Sequence, residues 1–467
     1  MEQSLAPVIE AAPLSLAPTL RPNILSPMET LAQSLSAIAP TTSPTMTIPL
    51  VFSLAGNGTW LAYLFATCAM LLMALCISRF ARYTSCSGSL YTYATFGLPP
   101  AISCLAGWAL LLAYVATGAS VTAGFINYAN VFATSLFGKP APTALLALLC
   151  VGVSTFIAYR DVQVSARLML WIEALSVAMI AIVLALLLWH NGPHIDHAQL
   201  HLQAVSPSGV RLAVVLAIFS FVGFESATAL GAEARNPLRT IPRAVIQSAV
   251  VCGLFFILCA YLETLGMNAL HQDLGNSTAP MRTLANLAGV NLFGPLIDLG
   301  ALVSMFACTL ACITAAARVL MRMAKNGLVH NRLGHAHHKN STPGSAVLLI
   351  GFIMAVPVTI LSLRGITSSD IYGWMGSLAV YGFITTYGLA AVALPIYLKR
   401  RHDLTLGTLL LSTAGTLAMF LALAGTLYPI PSAPYNWLPY VYLGYILCGL
   451  VWHAISTGRQ SLQITQI

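Results

Sequence analysis

Charge is what this sequence has least of. Asp, Glu, Lys and Arg make up 7% of its 467 residues, where soluble domains carry roughly 25%. Carboxylates are the scarcer sign, 13 against 21 basic groups, for a formal net charge of +8. Such a chain cannot cover itself with solvated surface, which excludes a soluble enzyme or binding domain. The alternation of apolar and polar residues that builds a membrane barrel is missing too. Helices are then the only backbone that satisfies its own hydrogen bonds in hydrocarbon. Phosphate cradles, nucleophile elbows, zinc-protease helices and anything like an ATP-binding domain are also lacking, so the chain is expected to be no enzyme, and any transport must run on an ion gradient or on exchange. The ten cysteines fall mostly inside apolar runs and give no disulfide framework. Cys308 and Cys312 share a helix face, and without His or Cys neighbours they read as packing rather than metal ligands.

What is present is apolar: 58% hydrophobic residues and a mean hydropathy of +0.82. The runs predict about twelve spans, at 31–55, 60–77, 101–136, 143–158, 168–189, 210–230, 245–265, 290–320, 346–363, 370–398, 404–427 and 438–455. With the N-terminus inside, 17 of the 21 Lys and Arg fall in cytoplasmic segments, and only Lys139, Arg211, Arg282 and Arg364 fall outside. The basic residues are spread in short clusters between spans, as topology requires, so the positive charge calls for no nucleic-acid partner. Residues 1–30, rich in Pro, Ser and Ala with acidic Glu2, Glu10 and Glu29, lack the pattern of a signal peptide. They are expected to form a disordered cytoplasmic tail, and residues 457–467 the cytoplasmic tail at the other end.

Two spans are interrupted. The first holds Pro40, Pro44 and Pro49 inside one apolar run. Each proline removes a donor and crowds the carbonyl four residues back, so the ladder is expected to open at mid-membrane, where only protein or a water-filled cavity can receive bare backbone. The sixth holds Phe219-Ser220-Phe221-Val222-Gly223-Phe224-Glu225, a glycine and an ionisable group within an apolar run. Simple kinking and close packing explain each interruption singly. Together, at matching places five spans apart, they mark a transporter binding site between inverted halves, with opened helix ends offering N–H groups to an anion and carbonyls to a cation.

Phe219 to Ala244, FSFVGFESATALGAEARNPLRTIPRA, resembles the sixth-helix signature of the amino acid–polyamine–organocation permeases, an F-x-G-F-E core followed by G-x-E-x-x-N-P-x-R-x-I-P-R. Gly88 to Tyr93, Val164 to Arg167, and Ala317 to Leu320 with Asn326 to Leu328 resemble the same superfamily in the same order. The resemblance covers about residues 31–455. It implies an all-α membrane protein with a LeuT-like fold of two inverted five-helix repeats, at 31–189 and 210–398, plus two further helices at 404–456. It also implies a multi-pass plasma-membrane permease for amino acids, needing no cofactor, with polyamine or amine transport, or a sensor on the same fold, as alternatives. By motif position, Thr41, Thr42, Ser43 and Pro44 fall at the first-helix break that receives a substrate carboxylate. Phe219 falls at an aromatic gate, and Ser220, Val222 and Gly223 fall where sixth-helix groups meet the ammonium. Rocking of the bundle formed by spans 1, 2, 6 and 7 would alternate access, and side chains on the third, eighth and tenth spans would set substrate identity. Three departures stand out: Pro44 replaces a glycine and deletes a donor, Ser85 stands at a position usually held by proline, and Ser176 stands where some proton-coupled relatives carry lysine. Coupling to H⁺ or to Na⁺ thus stays open.

Ionisable groups within spans are functional candidates by default. Glu225 reads as a coupling or substrate-contact group, or as a cap on the broken helix. Glu173 reads as a proton acceptor or as a carboxyl paired with a neighbouring hydroxyl. Glu233, beside Arg235 and Arg239, suggests a cytoplasmic ion-pair gate or a simple anchor, and Asp298 an external counterpart or an interfacial group. Ser304, Thr309 and Thr314 offer oxygens to sodium, or back-bond within their helix. His335, His337 and His338 fall on the opposite side from His190, His194, His197 and His201, which excludes one shared metal centre.

Overall fold

A computed structural model describes residues 20, 22–160, 163–191, 196–337, 340–428 and 430–464. The chain is an all-α membrane protein. Its helices are α1 (Pro27–Ile38), α2 (Ile48–Ala55), α3 (Thr59–Ala81), α4 (Ser89–Gly97), α5 (Pro100–Phe137), α6 (Thr143–Arg160), α7 (Gln163–Asn191) and α8 (His197–Leu200), followed by α9 (Pro207–Phe219), α10 (Pro237–Ala269), α11 (Pro280–Leu287), α12 (Phe293–Lys325), α13 (Gly344–Leu363), α14 (Ser368–Arg400), α15 (Leu406–Leu427) and α16 (Leu438–Ile464). No strand occurs among the described residues, apart from one isolated bridge between Leu25 and Ala234. By length and apolarity, nine stretches among the described residues can cross a membrane, the first of them running from Pro27 to Ala81 and so containing two of the expected spans. The apolar segments Glu173–Trp189 and Pro207–Phe219 are shorter.

Expectation and structure part at the N-terminus. A disordered tail through residue 30 is corrected at its end, because α1 begins at Pro27. Ser26 N–H donates to Glu29 Oε2 (2.8 Å) and Glu29 N–H to Ser26 Oγ (3.3 Å), a reciprocal cap that satisfies donors at the helix start. Glu29 therefore belongs to a helix rather than to a tail. Just before it, the N–H groups of Ile24 and Leu25 donate to the Glu233 carbonyl, and Arg235 N–H donates to that of Leu25. Residues 1–19 lie outside the described residues.

Helices five spans apart pack on each other: α3 on α10, α5 on α12, and α6 on α13. Small residues allow the close approach, with Gly253 of α10 against Thr67 of α3, Gly118 of α5 against Cys312 of α12, and Gly351 of α13 against Thr155 of α6. In the broken pair, α2 packs on α9, while α1 packs on the turn Ser226–Leu230 that follows α9. First half against second half means that the two broken helices run antiparallel. Helices α15 and α16 lie outside this arrangement against α14, α3, α9 and α5, with Leu410, Phe420, Leu447 and Val451 exposed on an apolar outer face. Two further elements join the frame. Helix α4, which carries the Ser89–Tyr93 motif, packs on the second broken helix, where Ser89 Oγ lies 2.7 Å from Thr228 Oγ1. Helix α11 is amphipathic, burying Met281, Leu284 and Ala285.

Candidate functional site

Helix α1 stops because Ala39 takes a left-handed conformation, with φ at 49°. After a turn, the chain winds through one π-helical segment, Ser43–Thr47, and continues as α2. The prolines fit this path. Pro44 stands in the first turn of the π segment, where a missing N–H leaves no interior bond unmade, while Pro49 lies in helical backbone continuous from Thr42 and offers no N–H to the Thr45 carbonyl four residues back. The ladder thus opens mainly between Ala39 and Thr42, one turn ahead of Pro44. Loose ends are taken up locally: Thr45 Oγ1 donates to the Thr41 carbonyl (2.8 Å), and Tyr128 OH from α5 to the Thr45 carbonyl (3.1 Å).

Helix α9 ends at Phe219, and the chain passes through irregular turns to Glu225 before a short 3-10 segment, Ser226–Leu230. Gly223 has φ of +93°, and a Cβ there would lie 2.7 Å from Ala37 Cβ, so only glycine lets the two breaks touch. The breaks satisfy each other across this contact. Ser34 Oγ donates to the Phe224 carbonyl (2.7 Å) and accepts from Ala227 N–H (3.3 Å), while Ser226 Oγ donates to the Gln33 carbonyl (3.1 Å).

Between the breaks lies a small cavity of about 10 Å³, room for about one water. Of the expected substrate residues, Thr42, Ser43, Phe219, Ser220 and Val222 line it. Thr41, Pro44 and Gly223 do not: Thr41 Oγ1 turns away to Glu173 Oε2 (3.3 Å), and Gly223 is spent on Ala37. The wall also holds Thr117 and Val121 of α5, Cys308 of α12 and Tyr372 of α14, which sequence reasoning placed only by helix. Cys308, read as packing, is a wall residue whose thiol donates to the Ala37 carbonyl (3.1 Å). The Phe219 ring packs edge-on to Tyr372, 5.7 Å between centroids, and lies over Gly376. Tyr372 OH in turn lies 2.7 Å from Thr47 Oγ1. Two wall hydroxyls, Thr42 Oγ1 and Thr117 Oγ1, are buried without a hydrogen-bond partner. A buried hydroxyl left unpaired is costly, and both of these belong to residues on one cavity wall.

Neither flagged carboxyl reaches the cavity wall. Glu225 accepts from Tyr114 OH of α5 (2.7 Å) and Tyr387 OH of α14 (2.6 Å), bracing the second break against the surrounding helices. Glu173 of α7 accepts from Ser304 Oγ of α12 (2.5 Å) and from Thr41, the hydroxyl pairing that was one of its two readings. Ser176 packs against Gly300 of α12. Thr309 back-bonds to the Met305 carbonyl (3.0 Å), so Ser304 and Thr309 turn to different partners. Glu233 pairs with neither Arg235 nor Arg239 but with Arg318 of α12, while Arg235 Nε donates to the Asn23 carbonyl (3.0 Å). Asp298 pairs with Arg282 of α11, whose Nε donates to Oδ2 (2.5 Å). Among the histidines, His335 Nδ1 lies 2.9 Å from the Asn331 carbonyl, the His337 ring faces Tyr159, and His197 stacks on His201. The side chains of His190, His194 and His338 lie outside the described residues.

Comparison with known proteins agrees with this architecture. The amino acid permease family model matches residues 30–460. The chain is similar to the branched-chain amino acid permease BcaP of Bacillus subtilis (strain 168), 26% identical over 75% of this chain and 76% of that one. It is also similar to the methylthioribose transporter of the same organism, 24% identical over 74% and 75%, and to cationic amino acid transporter 4 of Mus musculus, 25% identical over 71% and 54%. Two antiparallel broken helices around a small hydroxyl-lined cavity, in a chain matched by that family over nearly its whole length, lead to one conclusion: this protein belongs to the amino acid permeases, a family of membrane transporters rather than enzymes.

Proposed function

We propose that the chain is a secondary active transporter working by alternating access, and that its substrate is a neutral amino acid with an aliphatic side chain. The observation that carries this reading is the cavity wall: two unpaired hydroxyls, Thr42 and Thr117, stand among Ile38, Val121, Val222 and Phe219, with no charged side chain. The broken backbone and the hydroxyls suit the charged head common to all amino acids. The apolar wall suits an aliphatic chain, since a cationic one would be buried without a counter-ion. BcaP, by its name a branched-chain amino acid permease, supports the same substrate class. Power comes from an ion gradient or exchange. The rocking unit is α1–α3 with α9 and α10, which pack on one another. Glu225 and Glu173 couple it to its surroundings, because each ties a moving break to α5, α7, α12 or α14. The chain sits in the plasma membrane with both termini cytoplasmic.

A thermal-shift screen of purified protein against the standard amino acids and common polyamines tests this. Leucine, isoleucine and valine are expected to stabilise it, and Ser43→Trp, whose indole fills the first break, is expected to abolish the response. Stabilisation by lysine and arginine alone, or by polyamines alone, overturns the substrate class.

A further inference from the structure

Glu263 lies on α10, within two turns of its end at Ala269. It is completely buried, and neither carboxyl oxygen has a hydrogen-bond partner. That sets it apart from Glu173, Glu225, Glu233 and Asp298, each of which is held by at least one donor. The titratable groups within electrostatic reach are Tyr63 of α3, Tyr128 of α5 and Cys259 one turn back on α10. None is a cation. Charged groups on the other elements packed against α10 are engaged elsewhere. Arg282 of α11 holds Asp298, Glu173 of α7 takes Ser304 and Thr41, and Asp273 accepts from Gly275 N–H and the Asn276 side chain. Glu29 closes the cap of α1, Glu225 takes two tyrosines, and Arg79 sits in the last turn of α3. An ionised carboxylate sealed in this position would cost several kcal/mol.

The two phenols near Glu263 hold the two breaks. Tyr63 OH lies 2.9 Å from Ser220 Oγ, a cavity-wall atom of the second break, and Tyr128 OH donates to the Thr45 carbonyl in the first. Tyr128 also lies within electrostatic reach of the Asp298–Arg282 pair, where Arg282 is partly exposed and Asp298 Oδ1 lacks a partner. Arg282, Asp298, Tyr128 and Glu263 are thus electrostatically linked, and Arg282 is the member with exposed surface.

We propose that Glu263 is the proton-carrying group of the transport cycle, taking up its proton when the Arg282–Asp298 end opens and releasing it when the opposite end opens. Release breaks the carboxyl O–H bond and passes the proton to water entering at that opposite end. The new carboxylate then draws the Tyr63 and Tyr128 hydroxyls away from Ser220 and Thr45, which loosens both breaks together. Reprotonation reverses the step. This assignment rests on the transporter reading above and adds the identity of the coupling ion.

The test is leucine uptake into proteoliposomes under an imposed pH gradient, comparing wild type, Glu263→Gln and Glu263→Asp. Wild type is expected to accumulate leucine above equilibrium under an inside-alkaline gradient. E263Q is expected to be stabilised by leucine and to exchange internal for external leucine, while its gradient-driven accumulation falls at least tenfold. E263D, which keeps the acid, is expected to retain accumulation. An infrared carboxylic-acid band that changes on leucine binding in wild type, and moves in E263D, reads the proton directly and does not depend on E263Q folding. Undiminished accumulation by E263Q overturns the proposal, as does loss of both binding and exchange in E263Q, which would make Glu263 structural. Leucine binding by wild type with no response to the pH gradient, or with accumulation driven only by sodium, also overturns it while leaving the permease reading intact. Absence of any leucine response overturns the reading beneath both.

Discussion

Arg318 grips both oxygens of Glu233, Nε to Oε2 at 2.6 Å and Nη2 to Oε1 at 2.8 Å, and the pair is buried. It ties α12 to the linker between the second break and α10, whose backbone also holds the segment before α1. Removing one partner leaves the other charge buried. Arg318→Met and Glu233→Gln are each expected to lower stability by about 3–5 kcal/mol, while the double variant loses less than either single one. Unfolding of the three proteins in detergent measures the cycle.

Gly223 occupies a left-handed position against Ala37, where a Cβ has no room. Gly223→Ala is expected to cost about 1–3 kcal/mol in backbone strain and to abolish uptake, because separating the breaks rebuilds the cavity. Gly388→Ala is the control, since its Cβ meets only Met419 Cβ at 3.6 Å. Uptake by the two variants in the same vesicles checks the contrast.

Glu225 is clamped by two phenols from different helices, Tyr114 of α5 and Tyr387 of α14. Each of Tyr114→Phe and Tyr387→Phe removes one donor at a cost of about 1–3 kcal/mol. Since Glu225 does not touch the cavity, leucine affinity by thermal shift is expected to hold while the rate of uptake falls. A fall in affinity of the same size as the fall in rate would place Glu225 in direct contact with substrate.

Composition and periodicity made the helical frame legible, because a helix in lipid must be apolar over its own length and can be read locally. The second break was legible for the same reason: Gly223 and Glu225 are conspicuous in an apolar run. The first was legible in its position but not in which proline marks it. Of the three prolines, Pro40 stands at the opening, since the helix stops at left-handed Ala39 just before it, while Pro44 and Pro49 lie in the helical segments beyond. Partners far apart in sequence were not legible. Glu233 was matched with nearby Arg235 and Arg239, while its arginine lies 85 residues away. Thr117 escaped notice because α5 is buried on nearly every side through its middle, so no period singles out one hydroxyl. Glu263 was passed over because an acidic group near a helix end reads as interfacial until its burial is seen.

Thr117 gives the sharpest test of the cavity, because its two roles have opposite signs. Its hydroxyl is buried and unpaired, so Thr117→Val, which keeps the shape and deletes the polar atom, is expected to leave the ligand-free protein as stable as wild type or more so. If that hydroxyl waits for the head group of the substrate, the same change removes a bond made only in the complex. Leucine affinity is then expected to fall by about fivefold, equivalent to roughly 1 kcal/mol. Thermal unfolding with and without leucine reads both quantities in one experiment. A ligand-free midpoint that holds or rises, with a smaller leucine shift, assigns the hydroxyl to the substrate. A lowered midpoint with an unchanged shift assigns it to packing between α5 and the first break.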